Sequence, residues 1–237
     1  NGLQDAYKSI LEALVHSGVH NTAKVNIKWI DTEKIEVLKN IGKVFEDVDG
    51  IIIPGGFGNR GIEGKILSSK YARENNIPFL GICLGLQCAV IDFARNVCSL
   101  VDANSKEFNE NTKYPVIDIM SKQKNIKVKG ASMRLGSYPC NLLNGSKVKK
   151  AYKKNKIHER HRHRYEVNNK YLELLKNNGL IISGLNAKLN LVEIIELKNH
   201  PWFVGVQFHP ELKSRVLNPN SLFKDFLAAA VKYYEKK

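Results

Sequence analysis

The sequence contains no run approaching the roughly 18 apolar residues that a membrane helix needs, so no helical span and no membrane partner are expected. Cysteine is scarce: Cys83, Cys88, Cys98 and Cys140 are separated by four, nine and 41 residues, with no C-x-x-C pair. That spacing matches no zinc pattern, so no metal is expected. Four cysteines in 237 residues are also too sparse for a disulfide scaffold, which points to a reducing, cytoplasmic compartment. The phosphate-cradling pattern G-x-x-x-x-G-K-[ST] is absent, and with it the signature of an ATP-binding domain. The first residues, NGLQDAYKSI, are polar with helical spacing, and no signal peptide is expected there.

Acidic side chains are the other shortage, with 23 Asp and Glu against 37 Lys and Arg, a formal charge of +14. The imbalance is local. Residues 122–170 hold fifteen basic side chains and two acids, Glu159 and Glu166, while the other 188 residues carry 22 and 21. A general cationic surface is excluded. A nucleic-acid site within that stretch is weakened by the lack of any RNA-binding signature and by the scarcity of aromatics beside the charge.

The composition is otherwise globular: 43% hydrophobic, 25% charged and 8% aromatic, enough chain for one core. Helical spacing covers residues 4–18, 33–45, 62–75 and 84–96, with Gly18 ending the first run. Strand patterns fall at 24–30, 50–53 and 78–82. This alternation implies βαβ units, a central, mostly parallel sheet flanked by helices. Beyond about residue 121, short alternating segments at 124–135, 146–151 and 157–167 suggest hairpins and a small antiparallel subsheet. A helix at 171–177, strands at 180–183, 191–197 and 203–208 and a closing helix at 222–234 follow. No linker or repeat interrupts the chain, which reads as a single α/β domain.

Gly81-Ile82-Cys83-Leu84-Gly85 places one nucleophile-capable residue between a buried strand and a helix, with glycine two residues to either side. This is the nucleophile-elbow pattern with Cys in place of Ser. The turn is so sharp that larger flanking side chains collide, and the helix N-terminus favours a thiolate. The Leu84 N–H points to where an oxyanion forms. The plain alternative is a small buried hydrophobe, the reading kept for Cys88, Cys98 and Cys140.

A cysteine nucleophile needs a base. In Val204-Gly205-Val206-Gln207-Phe208-His209-Pro210-Glu211 an apolar strand ends in His209, and Glu211, two residues on, falls on the same side. Glu211 can therefore fix the tautomer of His209, and Cys83, His209 and Glu211 form a coherent nucleophile, base and orienter. The glycine-rich loop after Ile51–Ile53 reads either as a tight turn or as a loop whose bare N–H groups, Gly56 foremost, approach a reacting group. In Ile157–Val167 strand alternation puts Arg160, Arg162 and Arg164 on one face and His161, His163 and Tyr165 on the other. An amino-acid carboxylate, an RNA backbone or solvent each suits that arginine face.

GICLGLQ followed far downstream by GVQFHPE resembles the class I (triad) glutamine amidotransferases. PGGFGNRGIEGK, ARENNIPFLGICLGLQCAVIDFARNV, MRLGSYPC and ERHRHRYEVN are similar to the glutaminase domain of the CTP synthases, over nearly the whole chain. Leu86, GASMRLG, a short Ser121–Gly130 and VLNPNSLF depart from that pattern without touching the triad. The resemblance implies a flavodoxin-like amidotransferase fold, with Cys83, His209 and Glu211 as catalytic residues. It implies Gly56 and Leu84 as oxyanion donors, and Gln87, Glu107 and Arg164 as further contacts to L-glutamine. It implies hydrolysis of glutamine to glutamate and ammonia, the ammonia aminating UTP to CTP in a synthetase (amidoligase) domain that this chain lacks. ATP and Mg would serve that domain, GTP would be the allosteric activator, and the full-length enzyme would be a homotetramer.

Overall fold

The structure is a computed structural model that describes residues 4–38, 40–119 and 133–237. The first half alternates helix and strand. A 3-10 turn at Gln4–Tyr7 leads into α1 (Lys8–His20), followed by the short α2 (Thr32–Glu36) and α3 (Gly42–Phe45). Then come β1 (Ile51–Ile53), α4 (Ile62–Glu74), β2 (Phe79–Ile82) and α5 (Leu84–Asn96). The second half is richer in strands: β3 (Ala103–Ser105), β4 (Tyr114–Ile119), β5 (Arg134–Leu142), α6 (Lys147–Tyr152), β6 (Lys156–His163) and β7 (Tyr165–Val167). It closes with α7 (Leu172–Asn177), β8 (Leu180–Asn186), β9 (Leu191–Leu197), β10 (Phe203–Val206) and α8 (Ser221–Tyr234).

Seven strands form the main sheet in the order β1-β2-β10-β9-β8-β5-β6. The α/β class holds, but the sheet is less parallel than the βαβ texture implied. Only β1, β2 and β10 run parallel. From β9 outward every pairing is antiparallel, because β8, β9 and β10 follow one another through short connections that allow nothing else. The second sheet, β3-β4-β7, is itself mixed: β3 and β4 are parallel, β4 and β7 antiparallel.

Two apolar layers cover the main sheet. One gathers Ile53, Ile66, Phe79, Leu86, Val90, Ile195 and Phe203 beneath α4 and α5. The other joins Ile10, Leu14, Leu80, Ile82, Val204, Val206, Phe208 and Phe223 beneath α1 and α8. Successive residues of β2 and β10 alternate between the layers, as a two-sided buried strand requires. Phe79 and Phe203 are partners across that pair, and their rings stack at 4.4 Å.

Several local expectations change. Residues 24–30 form no strand: Ile27 and Trp29 of the alternating pattern face solvent, and only Val25 and Ile30 pack inward. Gly18 does not end α1. It admits a close approach instead, since a Cβ there would stand 2.7 Å from the Ala23 carbonyl oxygen. The helix expected at 33–45 divides into α2 and α3. Residues 146–151 are helical because Ser146 caps α6, its hydroxyl accepting from the Lys149 N–H at 3.1 Å. β3 and β4 were not anticipated. The expected hairpin at 124–135 and the short segment 121–130 lie largely outside the described residues.

Candidate active site

The end of β2 and the start of α5 form the sharp turn that the glycines require. Cys83 has φ 52° and ψ −98°, a conformation that L side chains avoid. Its backbone is held on both sides, its N–H donating to the Val206 carbonyl at 2.7 Å and its carbonyl accepting from the Gln87 N–H at 3.3 Å. A Cβ on Gly81 would meet the Gly85 carbonyl at 2.7 Å, and one on Gly85 would meet the Ile53 carbonyl oxygen at 2.2 Å. The turn therefore closes only with glycine at both positions.

His209 follows the end of β10, the neighbour of β2. Its Nδ1 is 2.8 Å from Glu211 Oε1, so the carboxylate holds the ring with Nδ1 as donor. A Cβ on Gly55 would lie 2.7 Å from His209 Cε1 and 3.5 Å from Cys83 Cβ, so ring and cysteine both pack against the same bare face of this glycine. Burial opposes charge on His209, but Cys83 and Glu211 outweigh it and push the ring's pKa up to about 10. His209 Nε2 is buried without an aligned hydrogen-bond partner among the described residues. Cys83 is itself 3% exposed.

The oxyanion candidates are also neighbours: a Cβ on Gly56 would stand 3.1 Å from Leu84 Cδ2. Leu84 opens α5, where the first N–H groups have no acceptor within the helix. Gly56, Gly58 and Gly61 stand at G-x-G-x-x-G spacing between β1 and α4, a pattern this loop was expected to lack. They do not build a phosphate cradle. A Cβ on Gly61 would meet Thr32 Oγ1 at 2.3 Å, and the Gly58 N–H donates to the Glu107 carboxylate at 3.2 Å, an anion that repels phosphate.

The remaining predicted contacts come from α5, from the segment after β3 and from the link between β6 and β7. β6 ends at His163, so Arg164 leaves the arginine face. Arg160 and Arg162 are exposed, with Arg162 over the Phe57 ring at 5.7 Å, while Arg164 is half-buried. Its Nε is buried and has no hydrogen-bond partner among the described residues. Glu107 and Arg164 both face Tyr165, whose phenol pKa is pushed up by burial and by Glu107 and pulled down by Arg164. Gln87 is buried, its Nε2 donating to the Tyr165 carbonyl at 3.2 Å.

Charge behind the site was missed in the sequence. Arg134, counted there with the cationic stretch, is buried. Its guanidinium reaches Glu166 Oε1 at 2.9 Å and Glu193 Oε1 at 2.7 Å and lies over the Tyr138 ring at 4.5 Å. Glu193 Oε2 is 2.6 Å from His161 Nε2. Burial and the adjacent Arg134 charge keep His163 neutral, its pKa well below the ordinary range. The only sequence signal for this network was the buried half of the alternation in β6.

The other cysteines stay out of the chemistry. Burial pushes the Cys88 thiol up to about 12 and raises Cys140 and Cys98 as well. Among the described residues no group of three or more His, Cys, Asp or Glu is placed to hold a metal ion. No helix there is long and apolar enough to cross a membrane.

The family profile described as glutamine amidotransferase class-I matches residues 2–229. A solved structure of the glutaminase domain of a Trypanosoma brucei CTPS, with bound acivicin, superposes with a TM-score of 0.91 at 39% identity, covering 98% of this chain and 91% of that one.

The chain belongs to the class-I glutamine amidotransferases, in the CTP synthase branch.

Curated CTP synthases agree with this placement. The chain is 58% identical to that of Caldanaerobacter subterraneus over 227 residues, 96% of this chain, and 58% identical to that of Clostridium kluyveri over 229 residues. It spans 42% of the length of each. A GMP synthase subunit from Thermoplasma acidophilum, at 19% identity and a TM-score of 0.54, shares only the fold with this amidotransferase domain.

Proposed function

We propose that this chain is the glutamine-hydrolysing domain of a CTP synthase and acts as one domain through residues 1–237. The observation that carries the reading is the meeting of strained Cys83 with a His209 ring held at 2.8 Å by Glu211. Cys83 attacks the carboxamide carbon of L-glutamine, forming a C–S bond as the carbonyl electrons move to oxygen. The N–H groups of Gly56 and Leu84 receive that oxyanion, each donor contributing about 3 kcal/mol by comparison with other acyl-transfer sites. The tetrahedral intermediate collapses with C–N cleavage, and His209, charged at neutral pH, gives its proton to the departing ammonia. Water then attacks the thioester, His209 takes its proton, and the C–S bond breaks to release glutamate.

Arg164, whose buried Nε has no hydrogen-bond partner among the described residues, holds the glutamine carboxylate. Glu107 and Gln87 complete the amino-acid pocket. The rest of the longer protein supplies the synthetase chemistry. ATP and Mg act there, GTP is the activator, and released ammonia aminates UTP to CTP in a cytoplasmic homotetramer. No nucleic-acid partner enters this reading, because the cationic stretch carries no RNA-binding signature and few aromatics beside its charge.

The test is release of ammonia and glutamate from glutamine by this chain and by Cys83→Ala. Hydrolysis lost in the variant with an unchanged circular dichroism spectrum supports the assignment. Hydrolysis at the parent rate removes Cys83 as nucleophile.

A further inference from the structure

The strand that delivers His209 brings a second polar side chain to the same sulfur. Gln207 stands two residues before His209, where the chain bends as it leaves β10. Gly205, two residues earlier again, leaves no room for a side chain: a Cβ there would lie 2.9 Å from Ile195 Cγ1 and 3.2 Å from Leu86 Cα. β10 therefore rests directly against α5 and holds Gln207 over the elbow. Gln207 is completely buried, and its Nε2 lies 3.7 Å from Cys83 Sγ.

The direction of that contact is fixed by a chain of partners. The Tyr165 carbonyl only accepts, so the Gln87 atom 3.2 Å from it is the amide nitrogen. The same nitrogen is 3.4 Å from the Gln207 amide, whose facing atom must then be Oε1. That leaves the Gln207 NH2 for the sulfur. Reversing the amide would set donor against donor at Gln87 and a carbonyl oxygen against the nucleophile. The relay runs Tyr165 carbonyl, Gln87, Gln207, Cys83. It begins next to Arg164, so it joins the carboxylate-holding end of the site to the reacting atom.

We propose that Gln207 is a catalytic residue, a neutral N–H donor that orients the Cys83 sulfur and stabilises its thiolate, and that Gln87 is a positioning residue acting through Gln207. The inference rests on the reading of Cys83 as nucleophile. A donor bonded to the charged form favours that form. His209, backed by Glu211, is the charged group that faces the sulfur from β10. α5 has no acidic residue in its first turn, and the β1 loop offers Gly55.

The experiment is the pH profile of Cys83 alkylation by iodoacetamide in this chain, read by mass spectrometry of the Cys83 peptide, without glutamine. Gln207→Met keeps the volume and removes the donor, and its profile is expected to move to higher pH by about one unit. Gln207→Glu removes the donor and adds negative charge, and moves further. Gln87→Met moves less, in the same direction. Profiles of both Gln207 variants that coincide with the parent overturn the proposal. If those two lose the parent's circular dichroism spectrum, Gln87→Met decides, and a coincident profile there overturns it equally. Glutamine hydrolysis by the parent is read separately. A shifted profile in a parent that does not hydrolyse glutamine sinks the glutaminase reading and leaves the relay standing. An unshifted profile in an active parent does the reverse.

Discussion

Gly81 and Gly85 meet across the Cys83 turn so closely that a Cβ on the first would stand 2.7 Å from the carbonyl carbon of the second. The helix after the nucleophile thus folds back onto the strand before it. Gly85→Ala should destabilise the chain by about 2–4 kcal/mol, because the new Cβ meets the Ile53 backbone, which has no rotamer to give. Urea unfolding checks this. A loss below about 0.5 kcal/mol, the ordinary surface value, contradicts it.

Glu211 fixes His209 through Nδ1 at 2.8 Å and helps hold its proton. Glu211→Gln should lower the ring's titration from about 10 toward its ordinary range and reduce kcat by two to four orders of magnitude, roughly the cost of a mis-set tautomer elsewhere. An NMR titration of the ring together with steady-state kinetics tests both, and an unmoved titration rejects the coupling.

In the proposed pocket Arg164 holds a carboxylate whose charge is the same in substrate and transition state. Arg164→Ala should therefore raise KM for glutamine tenfold or more, by roughly the loss of a charged hydrogen bond, with little change in kcat. An unchanged KM takes Arg164 out of the pocket.

Glu159 is buried behind the site. Its Oε1 accepts from the Tyr152 hydroxyl at 3.0 Å, and its Oε2 has no hydrogen-bond partner among the described residues. Burial, opposed by Lys213 and Tyr152 and reinforced by Glu211, pushes its pKa up to about 7. The folded chain then binds a proton that the unfolded chain releases near 4.5, so this group's contribution to stability falls as pH rises from about 4.5 to about 7. Glu159→Gln removes that dependence. Its stability relative to the parent should increase across the window and level off above it, as measured by urea midpoints at a series of pH values. A constant difference across pH rules this out.

The meeting of Cys83, His209 and Glu211, the proposed triad, was legible because its signals are local. Two glycines flank Cys83 at fixed offsets, and Glu211 stands two residues after His209, although a 3-10 turn at Pro210–Lys213, and not the strand repeat, brings it to the ring. What lay hidden depends on distance in the chain. Gln207 sits in a Val-Gln-Phe run like any strand residue, and its partner is 124 positions away. Arg134 looked like one more cation of a basic stretch, yet it is buried between two carboxylates, one of them Glu193. Residues 24–30 carry a strand pattern that the structure leaves unpaired, because alternation requires a partner edge as well as a sequence. The parallel share of the sheet was overestimated for the same reason: periodicity marks strands and says nothing of their direction.

β10 enters the main sheet beside β2, with Gly205 opposite Gly81 and Val206 opposite Ile82. The two strands are remote in sequence, so their pairing closes a long loop and costs chain entropy that local contacts do not. Synthesis from the N-terminus completes the β2 and α5 sequences before His209, 126 residues after Cys83, is added. During that interval Cys83 has no His209 beside it and no Gln207 amide over its sulfur. In the proposed mechanism, a cut before β10 leaves the Cys83 thiol without the ring of His209 and the amide of Gln207.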